Sequence, residues 1–491
     1  MRRAAVSRLA SCGAVVSIAA LAACTVGPSY RTPAALPVPA LKLREADVAG
    51  VTPSPLPPHW WRLFDDPDLD RLVTKALAHN TDLRQAAANL QRARAALSEA
   101  RAGRLPTGAA SAEGVHQRVG FESLTGVSPS VGPGGVVTDF YTVGYDATYE
   151  IDLFGGVTRS IQAARADYQA AQAQVDAARV SVAAETARAY ADACSFAAQA
   201  AVAQETARLQ ADTLDLTNRL YTGGRETERD VARAQVLYEN ARAQVPTFEA
   251  ERRASLYALA VLTGDPPAEV DAAADRCATP PTAKQAIPVG DGQALLARRP
   301  DVRAAERTLA GDVARIGVAT AQLYPSISLP GSVNLGAPSL GKLGSSGSFG
   351  YSVGGLISWN FPFNGAARAR VRESRASAQI SLAAFDGTVL TALQETEQAL
   401  ARLDGAAKAE AALTRAAASS ERAAELSGLR FRAGSDNFLQ LLDAERDRAT
   451  ARAALAQAQS NRADAQISLF KALGGGWEEA PPVATAPLPT K

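Results

Sequence analysis

Between residues 141 and 153 apolar and polar positions alternate without a break. Tyr141, Val143, Tyr145, Ala147, Tyr149, Ile151 and Leu153 share one face, and Thr142, Gly144, Asp146, Thr148, Glu150 and Asp152 share the other. This predicts a strand with an aromatic-rich apolar face and a polar, acidic one. Gly155 and Gly156 end it, and no Gly or Pro follows until Gly223. The run 157–222, rich in Ala, Gln, Arg and Glu, predicts one continuous helix roughly 100 Å long. A compact domain has no room for such a helix. The turn at Gly223 and Gly224 leads into a return helix over 226–262, which the sequence TGDPP at 263–267 stops.

The same order of periods recurs. LLARRPDVRAAERTLAGDVARIGVATAQLYP matches ALAHNTDLRQAAANLQRARAALSEARAGRLP, and RFRAGSDNFLQLLDAERD matches LYTGGRETERDVARAQVL with Gly434 on Gly224. This is a tandem duplication. The first repeat, 59–278, opens on Trp60-Trp61-Arg62-Leu63-Phe64, with Asp66 as N-cap and Pro67 at the first helical position. It carries expected strands near 107–119 and 140–153. The second repeat, 279–473, carries strands near 326–335 and 348–361, a long helix over 366–431 and a return helix over 435–473. Residues 474–491 are expected to be disordered.

The ends of the chain say more about location than the composition does. A formal charge of +1 gives no sign of a nucleic-acid partner. Arg2, Arg3 and Arg8 precede an apolar stretch too short to span a bilayer, which ends in LAAC. Residues 1–23 read as a lipoprotein signal and Cys24 as the lipidated first residue of the mature chain, so a covalent lipid is expected and no other cofactor. Residues 24–58 are Pro-rich and aperiodic, an extended lipid-anchored linker. Cys194 and Cys277 then remain in an oxidising compartment. Counting along the helices places both at a comparable height, so a bridge between them is open; two separately buried thiols are the other outcome.

Strands with one apolar, aromatic-edged face are the signature of a transmembrane β-barrel. Four strands cannot close, and open edges are not tolerated in hydrocarbon. Each chain must therefore supply one sector of a shared barrel. Two copies give eight strands and a filled lumen; three give twelve and a water-filled conduit.

The LAAC box, WWRLFDDPDLDRL, YEIDLFG at the strand–helix switch, RRPDVRAAE, RFRAGSDNFLQLLDAER and LFKALGGGW together resemble the TolC/OprM outer-membrane efflux channels, in their lipid-anchored NodT/OprM branch. The resemblance spans essentially the whole mature chain. It implies a mainly α homotrimer: a long α-barrel in the periplasm, a mixed equatorial collar, and a twelve-stranded outer-membrane β-barrel with four strands per chain. It further implies an exit duct for small molecules, working with a periplasmic membrane-fusion adaptor and an inner-membrane transporter, RND-type in expectation. The family's periplasmic gate falls here on Leu439, Asp443 and Arg446, and its adaptor-docking tips on Gly223, Gly224 and Gly434. The first repeat has Arg233 where the second has Asp443, so one carboxylate ring forms per trimer.

Other readings are weaker. The charged residues between 443 and 448 could be an ordinary solvated helix face. A type I protein-secretion duct and a non-conducting structural lipoprotein stand as alternative functions; the latter leaves the dyad-period strands unexplained. Residues 336–342 fall one short of a phosphate-binding loop, with Leu343 in place of the hydroxyl residue. His59, His79 and His116 have no partners at metal-ligand spacing. No nucleophile–base motif is present, and no enzyme activity is expected.

Overall fold

The computed structural model describes residues 25–33, 43–44, 50–119, 136–361 and 365–484. The signal peptide, Cys24, much of the linker and the last seven residues lie outside the described residues. In chain order the described elements are β1 (Val51–Thr52), a 3-10 turn (Trp60–Phe64), α1 (Pro67–His79), α2 (Thr81–Ala102), β2 (Thr107–Val119), β3 (Val136–Ile151), α3 (Gly156–Thr222), α4 (Glu228–Leu262), α5 (Ala272–Asp275), β4 (Ile287–Pro288), α6 (Gly292–Arg298), α7 (Pro300–Ala321), β5 (Ser326–Ala337), a second 3-10 turn (Leu340–Lys342), β6 (Phe349–Val353), β7 (Leu356–Ser358), α8 (Ala366–Arg432) and α9 (Phe438–Ala472). Two units divide these elements.

The first unit comprises residues 1–33, 91–169 and 306–384. Its strands form one antiparallel sheet in the order β2-β3-β5-β6, with β7 also pairing with β5. The expected strand over 348–361 is interrupted between β6 and β7. Gly331 pairs with Val353 and Ser328 with Leu356, so Pro330 lies opposite Gly354. Gly354 donates to the Pro330 carbonyl at 3.1 Å, but proline has no N–H to return the bond. At the strand–helix switch the two carboxylate oxygens of Asp152 accept from the Val157 and Thr158 amides at 2.9 and 2.7 Å, capping the long helix α3.

The residues just after Cys24 do not hang free as the linker reading suggests. Arg159 donates to the Val26 and Gly27 carbonyls at 3.2 and 3.1 Å, and the Val26 amide donates to Phe154 at 3.2 Å. Tyr30 binds Glu306, and the Arg307 guanidinium sits 5.7 Å over its ring. Polyproline-like composition reports the extended backbone, not these side-chain partners more than a hundred residues away.

The second unit comprises residues 34–90, 170–305 and 385–491. Its core gathers Trp60, Trp61, Phe64, Leu69, Leu259, Leu400 and Phe470, with Trp60 stacked on Phe470 at 4.6 Å. Asp66 caps α1 by accepting from Asp68 and Leu69, and β1 pairs in parallel with β4. The expected disorder beyond Gly474 does not hold for residues 474–484. The Ala484 amide donates to Ala78 at 2.9 Å, Arg303 lies 5.1 Å over the Trp477 ring, and Ala480 and Val483 pack on the core. A short apolar tail becomes ordered when a preformed apolar surface can bury it, which composition alone does not reveal.

Candidate channel wall and periplasmic gate

In the sheet, register places Tyr145 beside Val333 and Val333 beside Tyr351, with Val143, Leu335 and Phe349 in the next row. Beyond their neighbours in the sheet these side chains are widely bare: Tyr351 is 74% exposed, Val353 81% and Ile357 70%. A contiguous apolar face this bare marks a surface covered by lipid or by another chain, and the dyad period with aromatic edges favours lipid. Aromatic pairs sit at the foot of the strands, Phe154 on Tyr324 at 4.7 Å and Trp359 by Phe361 at 4.3 Å, as at a membrane–water interface. The opposite face carries Asp146, Glu150, Ser332 and Ser352 in register, with the two serine hydroxyls 2.8 Å apart. Among the described residues, edge strands β2 and β6 are paired along one side only. Among the described residues no helix is long and apolar enough to cross a membrane.

The two long helices, 67 residues each, end in the same way. Arg225 donates to the Leu220 carbonyl at 2.8 Å and Ser435 to Arg430 at 2.9 Å, the six-to-one bond of a Schellman turn. Gly224 and Gly434 occupy its left-handed position at φ +72° and +75°. Gly223 is not in that region, so of the three tip glycines only two are demanded by backbone geometry.

Helix α9 starts in a capping box, in which Gln440 and Asn437 exchange side-chain to backbone bonds at 2.9 and 3.0 Å. Its first turns bury Phe438, Leu441 and Leu442 against Ala234. Leu439 is half exposed, and one turn on, Arg446 lies 3.3 Å from Asp443 of the same chain. Both side chains are more than half exposed, so the pair contributes little to folding. Asp447, exposed and 3.9 Å from Arg446, belongs with this pair, whereas two other residues of the charged run separate from it. Glu445 and Arg448 are buried and bonded to each other; Arg448 also reaches Glu421 at 3.6 Å, and Arg452 reaches Glu421 at 2.5 Å. Burial pushes the Glu445 carboxyl above the ordinary range, which the neighbouring arginines oppose. The solvated-face alternative therefore fails for Glu445 and Arg448, which tie α9 to α8, while Leu439, Asp443 and Arg446 stay available. In the first repeat Arg233, at the position of Asp443, lies 3.7 Å from Asp230.

Cys194, fully buried on α3, is bonded to Cys277 in the segment after α5. A bridge closing 83 residues contributes about 2–4 kcal/mol by restricting the unfolded chain. Nearby, α3 and α9 bring together two carboxyls that sequence reasoning missed. Burial, then the charge of Asp464, raises Asp192 to about 6, with Arg188 opposing. Asp464 is raised too, mainly by burial, and accepts the bond from Asp192. Asp192 keeps its proton to near pH 6 when folded but loses it near 4 when unfolded, so stability falls as pH rises through that window. We expect Asp192→Asn, which cannot ionise, to flatten this slope in thermal unfolding scans. It should also gain on the order of 1–2 kcal/mol per chain above pH 6. Identical pH profiles would show that the carboxyls do not share a proton.

A bare apolar sheet that, among the described residues, is open at both edges, together with two 67-residue helices, suits one sector of a multi-chain outer-membrane barrel with a helical duct. The chain belongs to the outer membrane efflux protein family, which matches residues 72–265 and 292–475, one stretch in each repeat. It is 32% identical to the outer membrane protein OprJ of Pseudomonas aeruginosa over 94% of each chain. It is similar in structure to the outer-membrane channel OprN, with a TM-score of 0.86 and 35% identity over 92% of this chain and 100% of that one. The open-state MtrE channel of Neisseria gonorrhoeae gives 0.79 and 32% over 92% and 99%. The channels of this family are trimers that join an α-barrel to a β-barrel and act with an adaptor and an inner-membrane transporter. The protein is thus an outer-membrane efflux duct reaching into the periplasm, of a family of channels not known for enzyme activity. Among the described residues no cluster of His, Cys, Asp or Glu could hold a metal.

Proposed function

We propose that the duct is closed at its periplasmic end by Leu439, Asp443 and Arg446 and opens when an adaptor engages the helix–turn–helix ends at Gly224 and Gly434. Cargo passes passively, delivered by an RND-type pump, and lipid on Cys24 holds the chain to the outer membrane. The observation that carries this reading is the split on α9. Its neighbours at 438, 441, 442, 445 and 448 are buried, whereas the three candidate gate residues are free to face copies of themselves. The similar MtrE channel has been solved in an open state.

The helix ends suit docking. A cavity of about 680 Å³ lies between them, bordered by Arg225, Arg229, Arg233 and Arg432. A side chain at Gly224 or Gly434 costs roughly 1–2 kcal/mol of left-handed strain, enough to reshape a tip without unfolding a helix. Gly224→Val and Gly434→Val are therefore expected to reduce drug export severalfold in cells, while trimer yield from outer membranes and lipid mass on the Cys24 peptide stay as in the parent. Export at the parent level in both variants would place adaptor contact elsewhere.

A further inference from the structure

The foot of the sheet is rich in arginine. Residues 99–104, where α2 runs into β2, and residues 366–375, at the start of α8 below β7, hold six arginines and two glutamates. All eight side chains are exposed. Other arginines of this unit are partnered: Arg159 holds backbone carbonyls, Arg307 binds Glu306, and Arg315 binds Asp167 and Asp312. Among the described residues Arg101, Arg368, Arg372 and Arg375 form no ion pair, and Arg104 reaches the Thr158 hydroxyl at 3.3 Å.

Spacing divides the α8 arginines between two sides of the helix. Arg368, Arg372 and Arg375, at i, i+4 and i+7, form one stripe. Arg370, turned from them by almost half a circle, lines a cleft with Glu150, Ser326 and Ser358 of the polar sheet face. Glu373 borders the neighbouring cleft, again with Arg370. The stripe of three therefore lies away from the polar side and contains no carboxylate. It follows directly after Trp359 and Phe361, the aromatic pair of the apolar face. Aromatic residues and then basic ones is the order in which a chain leaves hydrocarbon and meets lipid headgroups. The stripe covers about 10 Å of helix axis, and arginine side chains extend toward the headgroup layer over such distances.

Among the described residues β2 forms one edge of the sheet, and β6 with β7 the other. When neighbouring chains close the barrel, Arg101 and Arg104 of one chain approach Arg368, Arg372 and Arg375 of the next. Like charges gathered at the edge of a low-dielectric layer repel unless an anion joins them. Another copy of the chain cannot supply that anion, because both stretches carry net positive charge. We infer that each seam between chains binds the phosphate of an anionic phospholipid from the periplasm-facing leaflet, and that this lipid helps to hold the chains together. Guanidinium forks match phosphate oxygens. A zwitterionic headgroup brings its own cation into the cluster and is disfavoured. Each arginine at an anionic lipid surface strengthens association about fivefold, so three together should contribute roughly tenfold or more. The seam forms wherever the gate lies.

The test is native mass spectrometry of the intact trimer in non-ionic detergent, with phosphatidylglycerol or phosphatidylethanolamine of the same acyl chains. Phosphatidylglycerol should be retained at one per seam, roughly tenfold more tightly than phosphatidylethanolamine, and raised salt should release it. It should also raise the temperature at which the trimer separates on semi-native gels. Replacing Arg368, Arg372 and Arg375 together by Gln should lower its affinity roughly tenfold or more, whereas Arg370→Gln should bind as the parent does. The headgroup and salt measurements use the parent chain, so they decide the matter without the triple variant. Retention in the parent that ignores headgroup charge or salt overturns the proposal, as does equal loss of lipid in Arg370→Gln and the triple variant. Displacement by an equal concentration of inorganic phosphate would mark a general anion site and overturns the choice of lipid.

Discussion

Replacing Leu439 and Asp443 together by alanine is expected to convert a nearly non-conducting channel into an open one. On the proposed gate, three copies of Leu439 form an apolar constriction in the trimer, and one turn further three carboxylates approach one another. Like charges brought together at reduced dielectric repel, so closure requires compensating cations. The structure supplies one within each chain, Arg446 at 3.3 Å from Asp443. That pair is exposed and weak, so a docking partner can break it cheaply. The double substitution removes both the plug and the nearer of the two carboxylates beside Arg446. Phe438, Leu441 and Leu442 keep the helix start packed, so folding is preserved. Single-channel conductance in planar bilayers should rise severalfold, and cells should become sensitive to antibiotics normally too large to cross the outer membrane. If the variant conducts no better than the parent, closure lies elsewhere and these residues are a solvated surface.

Arginine at Val333 should prevent assembly, whereas arginine at the adjacent Ser332 should not. Val333 stands between Tyr145 and Tyr351 on the apolar face, and Ser332 stands between Asp146 and Ser352 on the other. An arginine facing lipid near the membrane centre costs about 2–4 kcal/mol, and a trimer meets that cost three times over. On the opposite face the same side chain gains a carboxylate neighbour and water. Heat-modifiable trimer in purified outer membranes reads the outcome. Equal yields of the two variants would mean that the sheet faces are assigned the wrong way round, or that lipid does not cover the sheet.

The two faces of the sheet were legible because they are local. A period of two over 141–153 and 326–335 needs only steric alternation, and the change to an unbroken Ala-rich run needs only the absence of Gly and Pro before Gly223. The repeat and the turn glycines could be read for the same reason; φ values of +72° and +75° at Gly224 and Gly434 answer a backbone demand that the residue type itself announces. Placing the gate on Leu439, Asp443 and Arg446 required resemblance to known channels, since spacing gave no reason to prefer Asp443 over Asp447.

Tertiary structure decided what depends on partners far away in the chain. It divided one charged run into a buried clamp, Glu445 and Arg448 with Glu421, and an exposed group of Asp443, Arg446 and Asp447. It broke β6 from β7 because Pro330, on another strand, has no N–H to offer. It bound residues after Cys24 to Arg159 and Tyr30 to Glu306, ordered the tail through Trp477 and Val483, and set Asp192 against Asp464. Period and propensity report a residue's own backbone and its face. Charge state, burial and packing are set by which residues from distant positions arrive on that face, and nothing local to 192 encodes that.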